Sequence, residues 1–416
     1  MAGPLQLTFV NYKKDSYIVV EGKSSADRFY IIRQGRVRIS KDVEVVQEEG
    51  GNTLGPGDFF GVVSSMSSHS QIETAKALTD VTLISVMKEQ YGQLIQNNTS
   101  VAMKIIFQFS KRMRYLDEAL TKLTLKNNAE EDPSHLFKVA EYYTRQSQYN
   151  QAYYAYHQYL KYCPAGEAVM QARERMMKIA PYAKAVKLKH GTDELVRVYP
   201  KDSMIFSEGE PGEELFIIKK GSVKIAKIVD NNEVLLAVLK TGDIFGEMAL
   251  LESKPRAACA VAYEECQVMT VNRKNFETMV SSQPQIVSRL TTLLAERIWF
   301  IYKQLANTLI NDPMGRIYDA LLIQLEKNRV DVNGGQYTFD FGPKELVNMV
   351  GIPQKEGALV LRKLMENSKI QIIKDRDKEK IHSMELADIA RQTEYYRKMQ
   401  RIERLRRENT MWNIMR

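Results

Sequence analysis

Between residues 245 and 258 the chain runs Phe245-Gly246-Glu247-Met248-Ala249-Leu250-Leu251 and then, past Glu252 and Ser253, Lys254-Pro255-Arg256-Ala257-Ala258. A glycine at 246 lets the backbone turn tightly or come close to a ligand. Glu247 to Leu251 suffices for one turn of helix, whose N-terminal amides would point at an anion. Arg256 can fork onto two oxygens of a phosphate, and Glu247 can accept from a ribose hydroxyl. Glycine, acid, short helix and arginine in fourteen residues describe a site for a phosphate joined to a sugar. The competing reading is a β-turn and surface helix with Arg256 in an ordinary salt bridge.

This run resembles the phosphate-binding cassette of cyclic-nucleotide-binding domains, where Phe-Gly-Glu-Leu/Met-Ala-Leu precedes a short spacer, an arginine and two small residues. Every element is present. The resemblance implies a cyclic mononucleotide as allosteric ligand and no cofactor in the catalytic sense. It implies a site of Phe245, Gly246, Glu247, Met248, Ala249, Arg256, Ala257 and Ala258, with Glu247 on the ribose and Arg256 on the cyclic phosphate. Ala257 lacks the hydroxyl that cGMP-selective relatives often use, which favours cAMP. The positions where cAMP-responsive activators place Thr-Ser hold Ile301-Tyr302. Trp299 or Tyr302 would then stack on the base, or both belong to a helix seam.

The elements that must position such a site are short strands. Stretches at 5–10, 16–21, 28–33 and 81–86 are separated by Gly22, Gly35, Gly50-Gly51 and Gly55-Pro56-Gly57-Asp58. Many short strands predict a barrel or jelly roll. The pattern returns about 186 residues later: Glu21-Gly22 matches Glu208-Gly209, Ile31-Ile32-Arg33-Gln34-Gly35 matches Ile217-Ile218-Lys219-Lys220-Gly221, and Phe60-Gly61 matches Phe245-Gly246. This is an internal duplication. The first copy has Val62 where the second has Glu247, and Gln71 where the second has Arg256, with Glu73 bringing negative charge nearby. It is a degenerate cassette, either a structural or dimer-forming domain or a pocket for a different ligand.

Apolar residues at helical spacing follow each copy, over 89–127 and 284–311. In the family such helices often form a dimer seam; packing within one chain is the alternative. Between the copies, Leu136, Val139, Ala140, Tyr143, Ala152, Tyr156 and Pro164 fall at the spacing of one tetratricopeptide repeat. One repeat makes no peptide groove by itself, so this insert is a spacer, a dimer contact or a docking surface for a protein partner.

From Asp312-Pro313 onward the chain resembles the DNA-binding end of the cAMP receptor protein (Crp/Fnr) family. Pro343 to Ile352 matches the first helix and turn of a helix-turn-helix, Gln354 to Asn367 the recognition helix, and Ile370 to Lys374 with Lys380 to Ser383 the wing. The family usually begins its recognition helix with Ser/Thr-Arg-Glu-Thr and places an arginine one turn on. Here Pro353-Gln354-Lys355-Glu356 and Leu359 stand there. Gln354 can read adenine and Lys355 guanine or phosphate, while Arg362 and Lys363 suit the DNA backbone. The basic tail 391–416 can pack back, touch phosphates or meet an anionic membrane.

The chain has 416 residues, 44% of them apolar, and a net charge of +8, compatible with anionic ligands or nucleic acid but not diagnostic. Three cysteines and five histidines without metal spacing exclude a disulfide framework and a zinc site. No kinase, cyclase or hydrolase constellation is present, so a non-enzyme is expected. No transmembrane run and no secretory pattern at Met1-Ala2-Gly3-Pro4 predict a cytoplasmic protein.

The expected fold is α+β and multidomain: two cyclic-nucleotide-binding β-barrel (jelly-roll) domains, a helical insert between them and a C-terminal winged helix-turn-helix. The expected boundaries are 1–127, 128–183, 184–311, 312–386 and a basic helical tail at 387–416. The expected function is a cyclic-nucleotide-responsive transcriptional regulator, a homodimer acting on double-stranded DNA. A nucleotide-gated protein-interaction adaptor is the alternative.

Overall fold

The computed structural model describes residues 7–24, 26–41, 52–125, 133–184, 195–229, 232–352, 354–375 and 378–414. Each copy of the duplicated unit is a pair of facing four-stranded antiparallel sheets. In the first, one sheet has the spatial order Thr8–Tyr12, Val81–Met87, Arg28–Gln34, Phe59–Phe60, and the other Tyr17–Val19, Thr74–Ala77, Val37–Ser40, Thr53–Leu54. The second repeats it with Ile244–Phe245, Glu214–Lys220, Cys266–Asn272, Val196–Tyr199 facing Met204–Phe206, Cys259–Ala262, Val223–Val229, Asn232–Leu239. Register shifts at Ile32/Gln34 and Ile218/Lys220 recur at matched positions. Of the expected barrel or jelly roll, a closed barrel does not form: the sheets remain separate. Closure needs edge-to-edge pairing, and edge strands such as Thr53–Leu54, Phe59–Phe60 and Ile244–Phe245 are two residues long.

Each copy carries its own helices. The first copy carries α1 (Val62–Ser67), α2 (Tyr91–Asn97) and the long α3 (Thr99–Leu125); the predicted helix over 89–127 is thus broken at Asn98, whose side chain accepts from Val101 N–H at 3.3 Å. The insert is α4 (His135–Arg145), α5 (Tyr149–Tyr162) and α6 (Val169–Ile179). Its apolar positions Leu136, Val139, Ala140, Tyr143, Ala152 and Tyr156 are all buried, and they pack on Met204, Ile228, Cys259 and Val261 of the second copy. The second copy carries α7 (Glu247–Glu252), α8 (Arg273–Ser282) and the long α9 (Pro284–Thr308).

The two long helices pack on each other within one chain. Ile105, Ile106, Phe109, Met113 and Leu116 of α3 share one buried cluster with Leu290, Leu294, Ala295, Ile298 and Trp299 of α9. At about 1.5–3 kcal/mol for each large side chain buried, this seam outweighs the exposed ion pairs around it. The Tyr91 and Thr291 hydroxyls, 3.0 Å apart, also tie α2 of the first copy to α9.

Asp312 caps α10 (Pro313–Lys327), accepting from Met314 and Gly315 N–H at 2.8 and 3.2 Å, with Pro313 at the first position. There follow α11 (Pro343–Met349), a turn through Gly351 at φ 63°, and α12 (Gln354–Met365). A Cβ on Gly357 would lie 2.5 Å from Val347 Cγ1, so glycine lets these two helices approach. Tyr337–Thr338, Lys378–Ser383 and Ile370–Asp375 make a three-stranded sheet in that order. The last helix, α13 (Leu386–Ile414), buries Leu386 and Ile389 in the same core, so its first turns pack back. The side chains of Arg404, Arg406 and Arg407 in the tail lie outside the described residues, as does Met415. No helix among the described residues is long and apolar enough to cross a membrane.

Candidate functional site

The cassette is built on the strand Ile244–Phe245, paired through Phe245 with Phe216. Phe206, Phe216 and Phe245 form an aromatic cluster with centroids 5.1 to 5.8 Å apart. Gly246 turns the chain into α7 at φ 77°, and a Cβ there would also meet Arg256 Nη1 at 2.6 Å. Both the left-handed backbone and the close approach demand glycine. Ala249 and Ala258 are buried, Met248 and Ala257 half-buried.

Arg256 is only 6% exposed. Its guanidinium lies over the Phe206 ring at 4.3 Å and donates from Nη1 to the Gly246 carbonyl at 2.6 Å, while Nε is buried without a partner. Burial lowers its pKa, with Glu210, Tyr154, Glu214 and Glu247 opposing. A Cβ on Gly212 would fall 2.3 Å from Arg256 Nε, so a second glycine makes room for this side chain. An arginine held among aromatic rings with an unsatisfied donor fits an anionic ligand, because leaving a buried donor unpaired costs about 1–3 kcal/mol.

Glu247 is 2% exposed and accepts from Arg297 Nη1 at 2.9 Å; Arg297 Nη2 also donates to the Ile244 carbonyl at 3.1 Å. Sequence reasoning missed Arg297. The available signal is a charged pair, Glu296-Arg297, inside an otherwise apolar run from Leu293 to Ile301. It also missed α3, which reaches across from the first copy: both Arg114 Nη atoms lie 3.4 Å from the Pro255 carbonyl. Beside it Asp117 is pushed above the usual carboxylate range by burial, among Lys227, Glu208, Arg114 and Arg297.

Trp299 and Tyr302 are not brought to Arg256. Trp299 Nε1 donates to the Ser70 carbonyl at 3.2 Å and its ring stacks on His69 at 4.0 Å. The Tyr302 hydroxyl donates to Glu21 at 3.2 Å. Both face the first copy, because α9 crosses α1 and turns these residues away from the domain that precedes it. Of the two readings, base stacking or helix seam, these contacts favour the seam over stacking at the second cassette.

The first copy keeps the backbone and changes the chemistry. Gly22 N–H donates to Gln71 O and Gln71 N–H to Lys23 O at 2.8 and 2.9 Å, matching Gly209 N–H to Arg256 O and Arg256 N–H to Glu210 O at 2.9 and 2.8 Å. Gln71 therefore occupies the arginine position. Glu73 accepts from Gly61 N–H at 3.1 Å and pairs with Arg112 at 3.5 Å, so a carboxylate of the chain itself stands beside the cassette turn.

On the C-terminal unit, Arg362 and Lys363 are exposed on α12, as is Leu359 at 64%. Gln354 and Lys355 begin that helix; their side chains lie outside the described residues. The cleft of about 500 Å³ lined by Lys201, Asp202, Ser222, Tyr263 and Glu264 lies at the other end of the strand Cys259–Ala262 from Arg256. Among the described residues no group of three His, Cys, Asp or Glu is placed to hold a metal ion.

Residues 9–98 and 196–283 each match the family described as Cyclic nucleotide-binding domain. The chain is 31% identical to the CRP-like cAMP-activated global transcriptional regulator of Mycobacterium tuberculosis over 156 residues, 37% of this chain and 69% of the relative. It is 29% identical over 171 residues to the cAMP-activated global transcriptional regulator CRP of Pasteurella multocida, covering 41% of this chain and 82% of that one. Among solved structures, the catabolite activator protein of Thermus thermophilus is similar over 48% of this chain and 90% of its own, with 25% identity and a TM-score of 0.28. Carrying two cyclic-nucleotide-binding stretches and matched over 69% of a CRP-like relative at 31% identity, the chain belongs to the cAMP receptor protein (Crp/Fnr) family.

Proposed function

We propose that this chain is a cyclic-nucleotide-responsive transcriptional regulator whose second copy takes the ligand and whose C-terminal unit contacts DNA. The observation that carries this reading is Arg256, buried between Gly212 and Gly246 with an unpartnered Nε. Arg256 and the amides near Ala257 would hold the cyclic phosphate, and Glu247 the ribose. Binding at Glu247 competes with its bond to Arg297 of α9, which gives the ligand a physical grip on that helix. The base is adenine before guanine, since Ala257 offers no hydroxyl.

From α9 the path to the reader is short. Asn307, at the end of α9, donates to the Arg316 carbonyl at 2.8 Å and to Asp319 at 2.9 Å, and Asp319 is gripped by Arg397 of α13. A ligand shifts this assembly only by its differential affinity for two arrangements. The unit from α10 to the paired strands is a winged helix-turn-helix. Arg362 and Lys363, with Gln354 and Lys355 at the start of α12, would face DNA. Exposed Leu359 cannot hydrogen-bond a base edge, so phosphate contacts dominate.

The proposed boundaries are those read from the sequence, with the first copy as a structural partner and the tetratricopeptide-like insert as its link to the second. In this reading the α3–α9 seam plays within one chain the part of a dimer seam. Calorimetric titration of cAMP and cGMP into wild type and Arg256→Ala tests the site; equal affinity in both proteins would overturn it. DNA binding with and without nucleotide, across salt, tests the output: a phosphate-contacting protein loses affinity steeply as salt rises. No binding even at low salt would leave the adaptor reading, which exposed Leu359 favours.

A further inference from the structure

Glu210 has no part in the binding scheme above, yet it is built into the site. It lies in the loop beside Gly209 and Gly212, and its carbonyl accepts from Arg256 N–H at 2.8 Å. Its carboxyl accepts from Ser207 N–H at 2.9 Å and lies 3.1 Å, through either oxygen, from the Tyr154 hydroxyl. Tyr154 comes from α5 of the insert, is buried, and also stands 3.2 Å from the Ile205 carbonyl. Solvent reaches part of the Glu210 residue, but its carboxyl is enclosed by these partners.

One hydroxyl proton faces three acceptors, so two satisfied arrangements exist. With Glu210 ionised, Tyr154 donates to the carboxylate. With Glu210 protonated, its O–H donates to the Tyr154 oxygen and Tyr154 donates to Ile205. The charged groups facing this carboxyl are Arg256 from the cassette and Lys161 from α5. Burial pushes it up to about 7, against the pull of Ser207, Arg256 and Tyr154.

We infer that Glu210, held by Tyr154 of the helical insert, sets the charge that Arg256 presents to a cyclic phosphate, and that nucleotide binding draws a proton onto Glu210. The inference rests on the proposed nucleotide site and assigns Glu210 and Tyr154 as positioning residues acting through Arg256. The charge balance gives the sign. A cyclic phosphate carries one negative charge. Glu247 with Arg297 and Glu214 with Arg197 are neutral pairs. Arg256 with ionised Glu210 is likewise neutral, so the ligand would leave one net negative charge buried, whereas with protonated Glu210 the site is neutral when filled. The ligand therefore favours the protonated form, and affinity falls as pH rises through 7. One group titrating near 7 in the free protein and kept protonated in the complex weakens binding by about ten-fold between pH 6 and pH 8.

The test is calorimetry of the full chain with cAMP at pH 6, 7 and 8, in buffers of different ionisation heat. Wild type should take up a proton on binding and bind about ten-fold more weakly at pH 8 than at pH 6. Glu210→Gln should abolish the uptake and flatten the profile. Tyr154→Phe removes both the donor to the carboxylate and the acceptor of its protonated form; because the Tyr154 bond on balance favours the ionised carboxylate, its loss should move the fall in affinity to higher pH. Wild-type binding with the same proton uptake and profile in Glu210→Gln and Tyr154→Phe would overturn this inference alone. Absence of cAMP and cGMP binding to wild type at every pH would overturn the nucleotide site and this inference with it.

Discussion

Gly212→Ala should weaken nucleotide binding without unfolding the protein. The new Cβ would sit 2.3, 2.4 and 2.7 Å from Arg256 Nε, Cζ and Nη2. All three belong to the far end of a flexible side chain, so the clash is relieved by swinging the guanidinium away and the fold need not yield. The binding site loses what the swing removes. A hydrogen bond to a charged group contributes about 1.5–3 kcal/mol, which is about ten- to hundred-fold in Kd. Calorimetry with cAMP on wild type, Gly212→Ala, Arg256→Ala and the double variant checks this, with thermal unfolding as the control. Because alanine at 212 acts through Arg256, the double variant should bind no more weakly than Arg256→Ala. Full additivity, or wild-type affinity in Gly212→Ala, would refute the reasoning.

Trp299→Ala removes a buried ring, its bond to Ser70 and its stack on His69; denaturant unfolding should show a loss of about 3–5 kcal/mol. His69 is held down to about 4 by burial, then by the nearby cations Arg329, Lys303 and Lys88. A histidine depressed in the folded state takes its proton first in the unfolded chain. Stability should therefore fall as pH drops from about 6.5 to about 4, and denaturant midpoints of His69→Asn should lack that part of the fall. Arg397→Ala leaves buried Asp319 with Asn307 but without its cation. Arg397 is half open to solvent, so the loss should be about 1–2 kcal/mol, below the cost of breaking a fully buried pair; the thermal midpoint reads it.

Much of the site was legible because its residues are contiguous. Phe245 to Ala258 lie on one strand, one turn, one short helix and the loop that follows it, so local chemistry and spacing identify them. The alignment of Gln71 with Arg256 was also legible, and matched backbone bonds at Gly22 and Gly209 bear it out. For Trp299 and Tyr302 base stacking and a helix seam both stayed open in the sequence, for a physical reason. Helical periodicity tells which residues share a face, not which domain that face meets. Barrel and jelly roll likewise stayed undecided, since alternation marks strands but not whether their edges close.

The sequence alone determined the duplication, the complete second cassette, the altered first one and the order of elements in the C-terminal unit. Each is set by residue types at short range, where glycine, arginine and apolar spacing act locally. Only the tertiary structure decided that α3 and α9 pair within one chain, that α3 brings Arg114 and Asp117 beside the cassette, and that α5 brings Tyr154 to Glu210. Those contacts join residues far apart in the chain. They are chosen by which apolar faces bury each other, a comparison among surfaces that no short stretch of sequence contains.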